Sequence, residues 1–397
     1  MVDLAARHSR YDLDRDALAT VVAEIAPGAP PYRADQLWDG LHRQHLDPEA
    51  LTSLPRSLRI ALGGHPALAP ALELDREWEA DGGQTRKWVW RCSDGARIET
   101  VLMHYGSTSG SPATAAASTD GPLAAPSDHA PPGADLGSGR STVCVSTQAG
   151  CAMGCGFCAT GQSGFDRQLR VGEIVEQVVR ACRAAAEHGR RVSHVVFMGM
   201  GEPLANYDAT WAAVRRLHDD LGLSARHLTI STVGIVPGIR RLATEELPVN
   251  LAVSLHAADD HKRDTLVPIN RRYPLAELGA ACAGYLAAKG RRLTLEWALI
   301  DGVNDTPADA AALARFARPL GAHVTLIPLN PTPGYAVLGS SPEQVRAFRD
   351  RLRDAAVNVT VRQTRGRDID AACGQLAARR PAGPQVATPV ALTHRPG

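Results

Sequence analysis

The chain has 397 residues, 44% of them hydrophobic and 21% charged, and its 43 Lys and Arg against 42 Asp and Glu leave a formal net charge of +1. That length can bury a sizeable core and exceeds one minimal domain. The near-zero charge gives no global field that would advertise a polyanionic partner. No apolar run approaches the roughly 20 residues that cross a bilayer, and the opening MVDLAARHSRYDLDRD has acidic residues and no apolar h-region. The expectation is a cytoplasmic protein without membrane contact.

Residues 1–71 read as a small helical unit, with apolar residues at helical spacing over 16–25, 32–45 and 48–62, broken by Pro27, Pro30, Pro31 and Pro55. Residues 72–105 are β-rich and connecting: LELDREWEA, RKWVWRC and ARIETVLMHY, with turn residues at 81–83 and 93–95. Residues 106–140 are almost wholly Gly, Ser, Ala, Pro, Thr and Asp with only two Leu. Such a stretch cannot offset its ordering entropy, so it is expected to be a disordered insert.

From residue 141 to 376 the pattern alternates. Strands are expected at 142–147, 194–198, 227–231, 250–255, 292–299, 323–328 and 358–363. Helices are expected at 171–188, 208–221, 237–245, 274–289, 307–320 and 342–355. This order indicates an α/β fold with a parallel sheet or open, barrel-like array, whose site lies at the carboxyl ends of the strands. Residues 377–397 are Pro-rich, without periodicity, and expected to be disordered. The basic pairs Arg190-Arg191, Arg240-Arg241, Lys262-Arg263, Arg271-Arg272 and Arg291-Arg292 read as solvated helix ends and loops. They permit RNA binding without arguing for it.

The cysteines are unevenly placed. Cys92, Cys182 and Cys282 stand apart, the last two among small apolar residues as core positions. Cys144, Cys151, Cys155 and Cys158 crowd together, and Cys373 follows near the end. In a reducing compartment such crowding suggests metal or catalysis before disulfides. In CAMGCGFCATG, just after the first strand of the array, three thiolates on a Gly-containing loop can hold three corners of a [4Fe–4S] cube, leaving one iron for a ligand. The alternative is a zinc site with Cys144 as fourth ligand; against it, Cys144 lies upstream in the apolar alternation TVCVST.

The Cys151-x3-Cys155-x2-Cys158 spacing on that loop resembles the radical S-adenosylmethionine (SAM) superfamily. The resemblance implies that SAM chelates the open iron through its amino and carboxylate groups. One electron then cleaves it to methionine and a 5′-deoxyadenosyl radical. VVFMGMGEPLAN, with Gly201-Glu202-Pro203 past a strand, resembles the superfamily segment that holds the SAM amino group. There small residues would allow close backbone approach, and a carboxylate would pair with an ammonium.

Further runs narrow the resemblance: RSTVCVSTQAGCAMGCGFCATGQSGFDRQLR, STVGIVPGI, SLHAADDHKRDTLVPIN, LIPLNPTPG and VRQTRGRDIDAACGQLA. Over about residues 32–376 the chain resembles the dual-specificity 23S rRNA and tRNA adenine-C2 methyltransferases, whose targets are adenosine 2503 and adenosine 37. The implied architecture is a partial (β/α)6-type barrel over 141–376, with a helical accessory domain that grips RNA. One [4Fe–4S] cluster, two SAM per turnover, a flavodoxin-like reductant and a monomeric state accompany it.

By that resemblance, Cys373 takes a methyl group from one SAM and, after loss of a hydrogen to the radical, carries it to C2. Cys144 resolves the RNA adduct through a transient disulfide. Taken alone, Cys373 in AAC reads more readily as a buried core residue. Glu99 matches the family's proton acceptor, or else is a strand-edge surface carboxylate, and the long insert separates it from Cys144. Ser231, Ser254, Leu255, His256 and Asn330 match SAM-contacting positions, although His256 unaided reads as a satisfied core histidine. Rival readings are a C8-methylating relative, a non-catalytic iron–sulfur or zinc RNA-binding protein, and a radical SAM activase acting on a protein.

Overall fold

The computed structural model describes residues 9–106, 139–330, 332, 334–335, 337–362, 365–366, 369–371 and 374–376. Nearly all of the Gly/Ser/Ala/Pro-rich insert, the tail from 377, and Arg367, Asp368 and Cys373 lie outside the described residues.

Three helices open the described chain: α1 (Arg15–Ile25), α2 (Tyr32–His42) and α3 (Arg56–Gly63). Asp14 starts α1 by accepting the Ala17 N–H at 2.8 Å, which satisfies a donor the first turn leaves orphaned. Leu18, Val22, Leu37, Trp38, Leu41 and Leu62 turn inward and join the main core of the molecule.

Strands β1 (Leu72–Ala80), β2 (Thr85–Cys92) and β3 (Arg97–His104) follow, each antiparallel to the last. β4 (Ser141–Cys144) then pairs antiparallel with β3, Val101 opposite Cys144. Next comes a separate hairpin, β5 (Gln148–Gly150) with β6 (Phe165–Gln168), which brackets the cysteine loop and the short α4 (Ala159–Gln162). After it the chain alternates: α5 (Val171–Glu187), β7 (Val192–Phe197), α6 (Tyr207–Asp219), β8 (Leu228–Thr232), α7 (Val236–Thr244) and β9 (Asn250–Ser254). The series continues through α8 (Asp260–Leu266), α9 (Leu275–Lys289), β10 (Leu293–Leu299), α10 (Pro307–Ala317), β11 (His323–Pro328), α11 (Pro342–Asp354) and β12 (Val359–Val361).

One ten-stranded sheet runs β1-β2-β3-β4-β7-β8-β9-β10-β11-β12. From β4 onward it is parallel, each step crossing over through helix, while β1–β3 extend its first edge antiparallel. All seven expected strands of the alternating region and all six expected helices are present. The additional α8 and the β5–β6 hairpin are too short and too polar to show a period.

Because side chains alternate along a strand, the extension has two distinct faces. Trp88, Trp90, Ile98 and Leu102 face the main core, where Gln177 of α5 accepts from the Thr100 hydroxyl at 2.9 Å. Gln177 also accepts the Ser146 N–H at 2.8 Å and donates to the Ser146 carbonyl at 3.0 Å, fixing the end of β4. Val101, Met103 and Cys144 face the other way and form a second apolar cluster with Met200 and Leu376, against which Ala371 packs.

Candidate active site

The strand ends and the cysteine loop enclose one cavity of about 160 Å³, lined by Cys151, Cys155 and Cys158 among others. Local backbone shapes the loop: Gly154 has φ +66, and a Cβ on Gly161 would meet the Cys155 carbonyl oxygen at 2.8 Å. Burial pushes the Cys151 thiol up to about 12, and pushes Cys155 up further, with each of the other two thiols adding to the effect on Cys155. Cys151 and Cys155 so buried resist ionising until a cationic centre compensates them. That donor set fits an iron–sulfur cluster. Among the described residues, no three His, Cys, Asp or Glu side chains converge as ligands of a single metal ion would.

Opposite the thiols lies Glu202, whose carboxylate accepts the Leu204 N–H at 3.0 Å and the Val233 N–H at 2.8 Å. Burial raises it to about 7, against the pull of those N–H donors, so an ammonium partner would favour its charged form. The neighbouring glycines answer to packing: a Cβ on Gly199 would strike the Val145 backbone at 2.7 Å, and one on Gly201, at φ +101, the Gln148 side chain at 2.5 Å. Gln148 in turn accepts the Glu202 N–H at 2.8 Å.

Ser231, Ser254, His256 and Asn330 all line the cavity. Leu255 does not: its side chain is wholly buried in the core, its N–H donates to the Glu296 carbonyl and its own carbonyl accepts from Arg263. His256 sits in the left-handed region at φ +57. Asn304 holds it there, donating to the His256 carbonyl at 2.8 Å and the Ala298 carbonyl at 2.7 Å. The His256 Nδ1 accepts the Ala298 N–H at 2.9 Å, which puts the ring proton on Nε2, and burial lowers the ring to about 3. It is therefore both a satisfied histidine and a cavity wall.

Three residues at or behind this wall escaped the sequence reading. Glu296 and Arg362 line the cavity, and Arg362 offsets part of the burial that raises the Glu296 carboxyl. Arg263, expected on a solvated surface, is fully buried. Its guanidinium donates to the carbonyls of Leu255 at 3.0 Å, Val233 at 2.6 Å and Ser254 at 3.3 Å, and to Asn270 Oδ1 at 2.8 Å. The ends of β8 and β9 leave carbonyls pointing inward, and a planar multi-donor group satisfies them together.

Glu99 is not at a strand edge: it lies within β3, between β2 and β4, and is 2% exposed. Lys87 reaches its carboxylate at 3.0 Å. Despite the insert, the β3–β4 pairing brings Glu99 and Cys144 near each other, and Cys144 is buried in the second cluster. Neither Glu99 nor Cys144 lines the main cavity. The C-terminal segment spans both places. Gly374 and Leu376 line the cavity, their carbonyls accepting from the Ala159 N–H at 2.8 Å and the Thr160 hydroxyl at 2.5 Å, while Ala371 packs on the cluster of Cys144.

A thiol-lined cavity at the carboxyl ends of a parallel α/β array, facing a buried Gly-Glu-Pro turn, is the architecture of a radical SAM enzyme, and a family model described as the radical SAM superfamily matches residues 145–315. A Parafrankia sp. protein named "probable dual-specificity RNA methyltransferase RlmN" is 51% identical over 390 residues, 93% of this chain and 91% of that one. The Myxococcus xanthus dual-specificity RNA methyltransferase RlmN 1 is 46% identical over 371 residues, 93% and 94% of the two chains. The crystal structure of a radical SAM methyltransferase from Sphaerobacter thermophilus matches with a TM-score of 0.81 at 46% identity, covering 94% of this chain and 100% of that one. The chain belongs to the RlmN family of dual-specificity RNA methyltransferases. Membership entails an iron–sulfur cluster, SAM and RNA. No helix among the described residues is long and apolar enough to cross a membrane.

Proposed function

We propose that this chain methylates C2 of adenine at adenosine 2503 of 23S rRNA and adenosine 37 of tRNA, with one [4Fe–4S] cluster on Cys151, Cys155 and Cys158 and two SAM per turnover. One observation carries the reading. A single cavity is lined by the three thiols, by Glu202, Ser231, Ser254, His256 and Asn330, and by Gly374 and Leu376 just beyond Cys373. Gly201 shapes the Glu202 turn, and Leu255 contributes its backbone.

Bound cluster and SAM supply an electrophilic methyl group and a hydrogen-abstracting radical. Cys373 takes the methyl on its thiolate, gives up one hydrogen, and bonds the methylene to C2, a carbon with no nucleophilic lone pair. Glu99 accepts the proton lost from C2, and the one electron that the adduct also gives up would pass to the oxidised iron–sulfur cluster. Cys144 then attacks the Cys373 sulfur; the S–C bond breaks, a disulfide forms, and the released carbon takes a proton to become methyl. The adenine must be unstacked to enter. The helical unit of residues 1–71 is suited to gripping RNA, with Tyr32 half-exposed and Arg33 stacked 4.9 Å from its ring centroid. A flavodoxin-like reductant, a monomeric state and a cytoplasmic location complete the proposal.

Anaerobic reconstitution with iron, sulfide, SAM and RNA, followed by nucleoside mass spectrometry, tests it. The expected product is 2-methyladenosine. Cys373→Ala is expected to keep cluster absorbance and lose methylation, and Cys144→Ala to accumulate covalent RNA adduct. Formation of 8-methyladenosine would overturn the regiochemistry, and normal turnover by Cys144→Ala the resolving role.

A further inference from the structure

We infer that Lys87 is a positioning residue for this reaction, one ammonium that holds both the Glu99 carboxylate and the loop leading to Cys373. The inference rests on the role of Glu99 given above. Strand register supplies its frame. Trp78, Lys87, Val101, Cys144 and Val196 lie opposite one another across β1, β2, β3, β4 and β7. At the usual interstrand spacing, Lys87 and Cys144 are about 10 Å apart between Cα atoms. Glu99, two residues from Val101, shares their face.

The side-chain geometry is specific. Lys87 is 4% exposed. Its Nζ lies 3.0 Å from Glu99 Oε2, donates to the Asp370 carbonyl oxygen at 3.0 Å, and sits 5.4 Å from the Trp78 ring centroid. A carboxylate, a backbone carbonyl and an aromatic face thus surround an ammonium that would be costly to bury alone. Asp370 precedes Cys373 by three residues and has a left-handed φ of +51, so its carbonyl is aimed by a local turn. That carbonyl is the direct link between the methyl-carrying segment and the residue assigned to take the C2 proton.

The remaining charges nearby do not duplicate Lys87. Glu77, Glu79 and Arg86 belong to the opposite face of β1 and β2, while Arg91 and Arg97, further along the face of Lys87, are engaged by Glu73 and Asp75. Asp81 and Arg365 sit at the rim, Asp81 accepting from Thr85 and the Gly366 N–H, and Arg365 donating to Gln84 and the His104 carbonyl. The titratable side chains at the second cluster are Cys144 and, packed against it, Tyr105, neither of them a cation. Lys87 forms no bond to substrate and exchanges no proton with it. It favours the ionised Glu99 that receives the proton and fixes where Asp370 stands relative to that carboxylate.

The test compares Lys87→Met, Lys87→Arg and Glu99→Gln in reconstituted enzyme with RNA, reading the pH–rate profile, Cys373 S-methylation by intact-protein mass, and covalent RNA adduct by gel shift. Lys87→Met is expected to move the acid limb of turnover to higher pH and to cut the rate below that limb by about tenfold or more, the effect of removing an adjacent opposite charge. S-methylation should persist and adduct accumulate, while Lys87→Arg keeps the wild-type limb. Wild-type turnover by Glu99→Gln would discard the role of Glu99 itself. A blocked Glu99→Gln beside a Lys87→Met with an unmoved limb, or with an equal loss at every pH that Lys87→Arg does not restore, would overturn the inference alone. Lys87→Gln repeats the neutral arm should the methionine variant fail to accumulate as folded protein by circular dichroism.

Discussion

Arg263 shows how one residue decides the shape of the site without touching its chemistry. DDHKRDTL offers two adjacent cations, and nothing in their order says which turns inward. The fold answers by leaving the carbonyls of Val233, Ser254 and Leu255 around one point, where only a guanidinium satisfies them together. Burial lowers Arg263 to about 10, which leaves it charged at neutral pH. Replacing it with Met would strand several buried acceptors at roughly 1–3 kcal/mol each. We therefore expect Arg263→Met to lose about 3–5 kcal/mol in denaturant unfolding, whereas Lys262→Met, whose partly exposed ammonium meets the buried Asp309 at the start of α10, should lose only about 1 kcal/mol because Asp309 keeps its Thr306 partner. Comparable losses in the two variants would contradict this account.

Among the elements, α2 carries a built-in acid sensitivity. His42 is fully buried, its ring stacked on Trp38 at 4.0 Å, with Nδ1 3.1 Å from the Trp38 carbonyl oxygen. Burial lowers it to about 3, with Arg216 and Arg15 also disfavouring its charge. The folded ring stays neutral while the unfolded one takes a proton below about 6.5. Its stability contribution is thus complete above that value and is lost as pH falls toward 3, at about 1.4 kcal/mol per pH unit. His45, lowered to about 4 by burial, acts in the same direction. Tryptophan fluorescence during urea unfolding should show a lower midpoint at pH 5 than at pH 7.5, and His42→Gln should flatten that dependence. The periodicity of YRADQLWDGLH identified the helix, but only the packing against Tyr11 and Trp38 removed His42 from water.

For the molecule as a whole, the helical unit and the α/β array share one continuous core, and Asp47 pins their polar seam. Burial works against its charge, yet Arg183 at 3.0 Å and Arg10 at 2.6 Å hold its carboxyl below the usual range. Because Asp47 is 44% exposed, Asp47→Asn is expected to cost only about 1 kcal/mol in thermal unfolding, with the loss vanishing as pH drops below the carboxylate range. What the chain order determined by itself was everything that depends on local period and spacing: the seven alternating strands, their helices, and the three-cysteine loop after the first of them. Side-chain periodicity is a property of short segments, so it survives without the fold. What only tertiary structure decided was proximity across long separations. Antiparallel pairing of β3 with β4 brought Glu99 beside Cys144, and β2 added Lys87 to their face. Gly374 and Leu376, from the far end of the chain, joined the cavity wall. Such contacts are fixed by sheet register and burial, which no single segment encodes.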